Sequence, residues 1–365
     1  VSITSAITTL KDTKLLGKAG GLIIGILLFT TAIAGLAFNL SAEGLQAGEA
    51  EVGAVKRVEG RLSTFSAKPV QQQLIEIIPT NIFQALTGQG GADTLSVVFF
   101  SALIGLAVLQ LKQYKPESAA RFVRAIGTAN DIVMQLVEYV LLLTPYGILA
   151  LMTKFVSTSN YADIYKLIQF VIASYVALIA MFVVHLVILL LFGFNPVTYL
   201  KKALPALAFA FTSRTSAGTL PLTVDTLTRK LGVSSGYANL AASFGVSIGQ
   251  NGCAGIYPAM LAVMVAPTVG INPLDAVFLT KLVVVVALGS FGIAGVGGGA
   301  TFASLVVLST LGLPVGIVGL LIAVEPLIDM GRTALNVSGA MVAGVTAGQL
   351  MQEVDKNVYA AEIAD

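Results

Sequence analysis

A long apolar run, Leu167–Phe192, contains no Asp, Glu, Lys or Arg. Because a helix rises about 1.5 Å per residue, this run is long enough to cross the roughly 30 Å hydrocarbon core of a membrane. Hydrophobic residues make up 56% of the chain and charged residues 11%, which is far from the balance of a soluble domain. We therefore predict an all-α polytopic membrane protein, since a spanning helix satisfies its own backbone hydrogen bonds.

The rest of the composition excludes several other classes of protein. The formal net charge is +2 and the chain has a single cysteine, Cys253, so we expect no nucleic-acid partner and no intrachain disulfide. The sequence has no glycine-rich phosphate loop and no cluster with metal-ligand spacing, so we predict neither an enzyme nor a cofactor. The chain begins without Met in an apolar stretch, Val1–Leu10, and we expect further helices upstream of it.

The distribution of basic residues predicts the orientation of the helices. Five further stretches have the composition of spanning helices: Ala19–Leu40, Leu95–Leu111, Ile132–Met152, Tyr237–Ala266 and Leu313–Ala347. Short loops rich in Lys and Arg stay in the cytoplasm. By this rule the basic loops lie inside: Lys11–Lys18, Lys112–Arg124, Lys201 with Lys202, Arg229 with Lys230, and Lys356. The connections Thr268–Asp275 and Thr310–Val315 contain no Lys or Arg and are predicted outside.

Two segments have both of their ends on the same side of the membrane; the first is too short for two crossings, and the glycine-rich break Ser290–Ala300 divides the second into two short apolar halves. The stretch from Lys201 to Lys230 begins and ends inside, and Leu274–Leu311 begins and ends outside. A helix needs about 20 residues for one crossing. We predict two re-entrant helical hairpins, residues 201–230 and 274–311, each followed by a spanning helix, which is the inverted-repeat pattern of secondary transporters.

The predicted tips of the hairpins are suited to binding anions. The first tip, Thr212–Thr219, is rich in hydroxyl groups and contains Arg214, and the second tip, Ser290–Ala300, is rich in glycine. Broken backbone at membrane depth persists only where it is buried in protein or lines a wet cavity, and helix N-termini there present free N–H groups to anions. The alternative reading is that the glycines only allow close helix packing.

The last apolar helix contains polar residues at helical spacing. Asp329, Arg332, Thr333 and Asn336 recur every three or four residues and so share one face, and Glu325 precedes them. Charged groups inside hydrocarbon are costly unless they face a cavity or each other. We interpret this face as a zwitterion site, with Asp329 accepting an ammonium group and Arg332 holding a carboxylate in a bidentate manner. The alternative is a structural ion pair between Asp329 and Arg332.

The preceding helix contains a break, Gly249–Gly255, in which glycines bracket an amide pair. Exposed carbonyl groups at such an unwound turn can coordinate a cation. The alternative is a helix kink whose amides are satisfied.

These motifs resemble those of the dicarboxylate/amino acid:cation symporters, the glutamate-transporter family, over the whole chain to about Val354. Within the family they are most similar to the bacterial transporters that take up L-cystine. The most specific stretches are Ile248–Gly255 and Glu325–Thr333. The resemblance implies a multi-pass protein of the bacterial plasma membrane that forms a homotrimer and contacts lipid. It also implies cation-coupled uptake of L-cystine.

The resemblance also implies a division into a scaffold and a mobile transport domain that works as an elevator. Residues 1–200 would be mainly scaffold and trimerisation helices. Residues 201–353 would be the transport domain, with the hairpins at 201–230 and 274–311 and two helices at 236–266 and 313–353.

Substrate ligands are implied by position in the family motifs. Asp329 matches the ammonium ligand, Arg332 the ligand of the distal carboxylate, and Asn336 with Ser216 the ligands of the α-carboxylate. The remaining residues implied to line or close the pocket are Thr215, Cys253, Val296, Gly298, Ala300 and Thr333.

The coupling ion stays open at this point. Glutamate-type members have carboxylates where this chain has Asn251 and Ala340, so two charges that would neutralise sodium are missing. Candidate ligands for a remaining Na⁺ are Thr30, Thr31, Gly245, Ser247, Gly249, Asn251, Ser290, Phe291, Ile293 and Asn336. Proton coupling through Glu325 or Asp329 is the rival hypothesis.

The sequence allows alternative roles for three further residues and two alternative functions for the protein. His185 is a proton relay or a structural histidine of the scaffold bonded to a neighbouring helix, and Cys253 is a small pocket residue rather than a reactive thiol. Arg214 adds charge near the site or pairs with Glu325. The alternative functions are a symporter for acidic amino acids or C4-dicarboxylates, and a channel or sensor that reuses the fold.

Overall fold

The computed structural model describes residues 13–37, 78–86, 93–141, 161–290, 299–321 and 324–361, with a few isolated residues between them. The first half contains helices α1 (Thr13–Ala37), α2 (Ile82–Ala85), α3 (Asp93–Tyr114), α4 (Pro116–Leu141) and α5 (Tyr161–Leu191). The second half contains α6 (Pro196–Ser213), α7 (Leu220–Asp225), α8 (Ser235–Gly245), α9 (Tyr257–Val265), α10 (Ala276–Gly289), α11 (Gly299–Thr310), α12 (Gly316–Leu321), α13 (Glu325–Leu350) and α14 (Lys356–Ala360).

Within these ranges the protein is helical, apart from one isolated antiparallel bridge between Val233 and Val354. Three helical stretches are long and apolar enough to cross a membrane, namely Gly17–Gly35, Ile168–Leu191 and Asn251–Val269. The prediction of an all-α membrane protein is confirmed for the part of the chain that the structure describes.

One face of α5 is exposed and almost entirely aliphatic, with Gln169 at its start as the polar residue. Its outward residues recur every three or four positions: Ile168, Ile172, Val176, Ile179, Val183, Val187 and Leu190. Water does not favour a continuous apolar stripe of this length, whereas lipid does. The opposite face packs against α13, so α5 is a boundary helix between the core and the surrounding lipid or protein.

Helix α13 lies at the centre of the molecule. It packs against α1, α5, α6 and α8 and is buried along most of its length, including its polar residues. Small residues allow this close packing, since a Cβ atom at Gly344 would lie 3.0 Å from the Cβ of Ala241. Because α1 and α5 contact α13 directly, these two helices share a core with the predicted transport domain, and the division between scaffold and mobile parts stays a prediction.

The first predicted hairpin contains two helices and a π-helical turn, and this turn packs against α6. Asn195 caps α6 by accepting from Val197 N at 2.9 Å and Pro196 occupies its first turn, so the helix starts before the predicted bound at residue 201. Arg214 ends α6 in the left-handed conformation, with φ of 56°. The chain then returns through α7 and a π-helical turn, Thr226–Lys230. Its depth in the membrane stays a prediction.

The second predicted hairpin is represented by α10 and α11, which are each too short to span a membrane. Residues 291–298, which include most of the second tip, lie outside the described residues.

The last two predicted helices are both interrupted in the structure. Residues 236–266 form α8, an irregular turn, a π-helical segment at Asn251–Ile256 and then α9, as the predicted break requires. Residues 313–353 do not form one helix, because α12 ends at Leu321 and α13 begins at Glu325 with Pro326 in its first turn.

A buried lysine fastens the C-terminal segment to the base of the first hairpin. Lys202 Nζ donates to the carbonyl oxygens of Lys230, Val358 and Tyr359 at 2.9, 2.7 and 2.8 Å. The Lys230 carbonyl belongs to the last turn of the hairpin, and the other two belong to α14. The ammonium group therefore joins the start of the predicted transport domain to α14, which follows that domain in the sequence.

We expect Lys202→Met to lower the free energy of unfolding by about 3 kcal/mol or more, because three hydrogen bonds from a charged donor are lost. Thermal unfolding in detergent measures this change. Lys201→Met is the matched control, since Lys201 is exposed, and it is expected to leave the melting temperature unchanged. Equal melting temperatures for the two variants would contradict the proposed role of Lys202.

Candidate functional site

Four charged side chains meet beside the start of α13. Arg332 Nη2 contacts Glu325 Oε1 and lies 3.2 Å from Asp329 Oδ1. Arg214, which ends α6, reaches the same two acids, with Nε 3.3 Å from Asp329 Oδ2 and Nη2 3.7 Å from Glu325 Oε2. This charge cluster carries no net charge. The two readings of Arg214 are therefore not exclusive, because it lies at the site and also pairs with Glu325.

The cluster depends on helix geometry and on the first tip. Glu325, Asp329 and Arg332 are separated by four and three residues on α13, so their side chains project from one face. Arg214 reaches them because its left-handed backbone turns the chain out of α6. The two elements are more than a hundred residues apart in sequence, so the cluster is a tertiary feature.

Arg332 has an edge of its guanidinium group that remains available for a ligand. Its side chain is fully buried, yet Nε and Nη1 have no hydrogen-bond acceptor among the described residues. Leaving such donors unpaired is costly, and a carboxylate binds two adjacent N–H groups of arginine at once. The available edge is therefore suited to binding a carboxylate.

Tyr257 supports Arg332, and sequence reasoning missed this residue. The Cζ atom of Arg332 lies 4.3 Å from the centre of the Tyr257 ring, which is a cation–π contact. Tyr257 is buried, and its hydroxyl group lies near the guanidinium group of Arg332 without a hydrogen bond of standard geometry. An aromatic residue just after the glycine-rich break was a weak signal, since apolar helices contain many aromatics that only pack.

The first tip brings two predicted ligands close to the charge cluster. Thr215 and Ser216 follow Arg214 directly and are both buried. Thr215 Oγ1 accepts a hydrogen bond from Gly218 N at 3.1 Å, which shapes the turn. The hydroxyl-rich turn thus directly follows Arg214, which contacts both acids of α13.

Asn336 holds the broken helix against α13. Its Oδ1 accepts from Gly252 N at 2.8 Å and from Cys253 N at 3.4 Å, and its Nδ2 lies 3.0 Å from Cys253 Sγ. Nδ2 also lies 3.3 Å from Gln250 Oε1. The side chain caps the π-helical segment, so binding of a substrate carboxylate by Asn336 requires exchange of these bonds.

Gly252 allows the broken helix to lie against the backbone of Arg332. A Cβ atom at position 252 would lie 2.8 Å from Arg332 Cα and 2.9 Å from Arg332 O. Real Cβ atoms do not approach a backbone so closely, so any larger residue must push the two segments apart.

We expect Gly252→Ala to destabilise the protein by about 1–3 kcal/mol and to impair uptake, because the added methyl group displaces the segment that lines the site. Thermal unfolding and transport assays on the same preparation measure the two effects. Gly25→Ala in α1 is the control, since nothing lies within 4 Å of its added Cβ atom. A Gly252→Ala protein that matches this control in both assays would contradict the packing argument.

Several predicted cation ligands surround the broken helix. Thr30 and Thr31 donate from their hydroxyl groups to Leu27 O at 3.0 and 2.8 Å. Gly249 has φ of 64° and packs on the same residue, since its added Cβ would lie 2.6 Å from Leu27 Cβ. The hydroxyl groups of both residues, which were predicted as cation ligands, are therefore engaged within α1.

The unwound turn leaves backbone carbonyl groups available. In the part of the chain that the structure describes, no backbone N–H donates to the carbonyl oxygens of Ser247, Ile248 or Gly249. The Val246 carbonyl accepts from Gln250 Nε2. Oxygen atoms of this kind are the ligands that sodium prefers, as in other transporters with unwound helices.

The other predicted site residues have mixed outcomes. Gly245 packs directly against the methyl group of Ala340, and Ser290 donates to Ala287 O at 2.6 Å on its own helix. Ala300 and Thr333 are buried. The remaining predicted residues lie outside the described residues, namely Phe291, Ile293, Val296 and Gly298.

The sequence of this chain is similar to those of known membrane transporters. The model of the sodium:dicarboxylate symporter family matches residues 1–350. A protein of Bacillus thuringiensis named L-cystine uptake protein TcyP is 57% identical over 98% of this chain and 79% of its own length. Proteins with the same name in Bacillus licheniformis and Shouchella clausii are 53% and 52% identical, again over 98% of this chain and over 79% and 78% of their own lengths.

Proposed function

The chain belongs to the sodium:dicarboxylate symporter family, and from this premise we propose that it takes up L-cystine by cation-coupled secondary transport. Members of this family are transporters of the plasma membrane and not enzymes. The choice of L-cystine is supported by the three relatives named L-cystine uptake protein, which match 98% of the chain. The class of substrate is supported separately by the chemistry of the site.

The charge cluster carries this proposal. A zwitterionic amino acid presents an ammonium group and a carboxylate, and the site offers the buried acid Asp329 beside the unpaired edge of Arg332. In our proposal the ammonium group takes the place of a guanidinium nitrogen at Asp329, and a carboxylate binds Nε and Nη1 of Arg332. The substrate ammonium group replaces an arginine nitrogen beside Asp329, and the substrate carboxylate pairs with Arg332. Each buried charge therefore keeps a group of opposite charge beside it.

We propose that the coupling ion binds at the unwound turn. The carbonyl groups of Ser247 and Gly249 support a Na⁺ ion there, and the hydroxyl groups of Thr30 and Thr31 lie on the neighbouring helix α1. A proton is the rival coupling ion. Its candidate carriers are Glu325 and Asp329, each of which contacts both Arg214 and Arg332.

We also propose a homotrimer in which one part of each subunit moves as an elevator. The proposal follows from family membership. The packing of α1 and α5 on α13 supports their movement together with the two hairpins, since separating them would expose the polar core. In this view the exposed aliphatic face of α5 slides against lipid or scaffold.

Uptake of labelled L-cystine into proteoliposomes, with a sodium gradient and a pH gradient imposed separately, tests the proposal. Accumulation above equilibrium under either gradient is the expected result and identifies the coupling ion. Ion currents without accumulation of L-cystine would instead indicate a channel. Failure to accumulate L-cystine under both gradients would overturn the proposed function.

One observation favours a second candidate within the family. The matching family model is that of sodium:dicarboxylate symporters, and an arginine edge also binds the carboxylate of an acidic amino acid or a C4-dicarboxylate. L-Cystine and acidic amino acids have an ammonium group for Asp329 to bind, whereas a C4-dicarboxylate has none. The dependence of transport on Asp329 therefore separates the candidates.

A further inference from the structure

The single histidine of the chain lies in a buried hydrogen-bonded row that joins three helices. His185 on α5 is fully buried, and its Nδ1 lies 3.0 Å from the hydroxyl oxygen of Ser338 on α13. The hydroxyl group of Tyr199 on α6 lies 2.9 Å from the same oxygen. The prediction of a histidine bonded to a neighbouring helix is therefore confirmed for one of its two ring nitrogens.

The other ring nitrogen faces Asn251 at the start of the π-helical segment. Both side chains converge on Gly339, where an added Cβ atom would lie 3.4 Å from His185 Cε1 and 3.5 Å from Asn251 Cγ. His185 Nε2 and both polar atoms of the Asn251 amide are buried, and the two side chains lie near each other without a hydrogen bond of standard geometry. Three unsatisfied polar atoms at one place require a partner, because each costs about 1–3 kcal/mol.

The surroundings indicate that the imidazole is neutral. The groups that face it are the hydroxyls of Ser338 and Tyr199, the amide of Asn251 and, on its own helix, the ring of Phe182. None of these is a carboxylate. The nearest charged residue on α13 is Arg332, six residues before Ser338 and so about 9 Å away along the helix axis. An unpaired charge at this depth is costly.

We assign one direction to these hydrogen bonds, since the distances fit either direction and the Tyr199 hydroxyl also lies 3.4 Å from the Ser338 carbonyl oxygen. If the Tyr199 hydroxyl donates to Ser338 Oγ, the Ser338 hydroxyl is left to donate to His185 Nδ1. The ring proton then resides on Nε2, on the side of Asn251. A small rotation of the Asn251 side chain pairs Nε2–H with Oδ1, which satisfies two of the three unpaired atoms.

We propose that His185 is a positioning residue, which as a neutral imidazole donates from Nε2 to Asn251 Oδ1 and so closes this amide to cations. The inference deepens the proposed function and rests on it for its importance in coupling. Asn251 leads directly into Gly252 and Cys253, which Asn336 holds beside Arg332. His185 thereby fixes the back of the substrate site without an ion, and the coupling cation binds at the carbonyl turn instead.

Because the chain has one histidine, its state can be read directly by ¹⁵N NMR of histidine-labelled protein in nanodiscs, purified with a tag that contains no histidine. We expect one protonated nitrogen, Nε2, and one unprotonated nitrogen, Nδ1, with no change between about pH 6 and pH 8. An imidazolium at pH 6, or the proton on Nδ1, would overturn the inference. This readout does not depend on transport, so it remains decisive even if L-cystine is not the substrate.

Asn251→Asp tests the contact itself. A carboxylate facing Nε2 is expected to draw a proton onto the ring, so that both nitrogens become protonated near pH 7. Asn239→Asp is the matched control, since Asn239 is half-buried on α8 and its amide donates to Ser235 of the same helix; it is expected to leave the spectrum unchanged. A spectrum of Asn251→Asp that is identical to the wild-type spectrum would show that the two side chains do not meet. If Asn251→Asp does not fold, the wild-type spectrum alone decides the inference.

Discussion

Replacement of Arg332 by methionine is expected to reduce L-cystine uptake by about a hundredfold or more. The variant loses the unpaired guanidinium edge that we assign to a substrate carboxylate, and it leaves Glu325 and Asp329 with Arg214 alone. Truncating one partner of a buried charge pair costs about 2–5 kcal/mol, and each 1.4 kcal/mol corresponds to about a factor of ten. Initial rates of labelled L-cystine uptake in proteoliposomes, corrected for the amount of protein, measure the effect.

Two further variants make this result interpretable. Arg332→Lys retains the positive charge but not the forked geometry, so it is expected to fold like the wild type and still lose most of its affinity for L-cystine. Arg229→Met is the control, because Arg229 is largely exposed and pairs only with Asp225 on the surface. Wild-type uptake by Arg332→Lys would contradict bidentate binding by Arg332, whatever the fate of the methionine variant.

Replacement of Asp329 by asparagine is expected to have an effect of similar size and a different signature. The amide has no charge for the substrate ammonium, so the KM for L-cystine should rise by about thirtyfold or more. Two arginines then face a single acid, Glu325, and the cluster gains one positive charge. Concentration dependence of uptake, measured for L-cystine and for a C4-dicarboxylate, checks this prediction.

Asp225→Asn is the matched control for this second variant, because Asp225 lies at the surface in an ion pair with Arg229. It is expected to transport L-cystine like the wild type. An unchanged KM in Asp329→Asn would remove Asp329 from the substrate site. If transport of a C4-dicarboxylate were intact in the wild type and improved in Asp329→Asn, the dicarboxylate function would replace our proposal.

Local sequence signals predicted the elements of the site well. The glycines around Gln250 and Asn251 predicted the break between α8 and α9, because a continuous helix does not tolerate two closely spaced flexible positions next to buried amides. The spacing of Asp329 and Arg332 predicted a shared face on α13. Each of these features depends on residues that are neighbours along one helix.

Features that depend on distant parts of the chain were harder to predict. The position of Tyr257 under Arg332 follows from the packing of Gly252 against α13, which no local pattern encodes. Arg214 was recognised as a residue of interest, but its simultaneous contact with both acids depends on the left-handed turn that ends α6. The apolar stretch Leu313–Ala347 was predicted as one helix, because its sequence contains no obvious helix break. In the structure a separate helix, α13, begins at Glu325 with Pro326 in its first turn.

Competition for uptake tests the central claim most directly. Proteoliposomes that contain the wild-type protein are given labelled L-cystine together with an excess of unlabelled L-cystine, L-aspartate or a C4-dicarboxylate. Our account predicts that unlabelled L-cystine abolishes accumulation of the label, while L-aspartate and the C4-dicarboxylate leave it nearly unchanged. Strong inhibition by L-aspartate or the C4-dicarboxylate, with concentrative uptake of that compound itself, would contradict the assignment of this site to L-cystine.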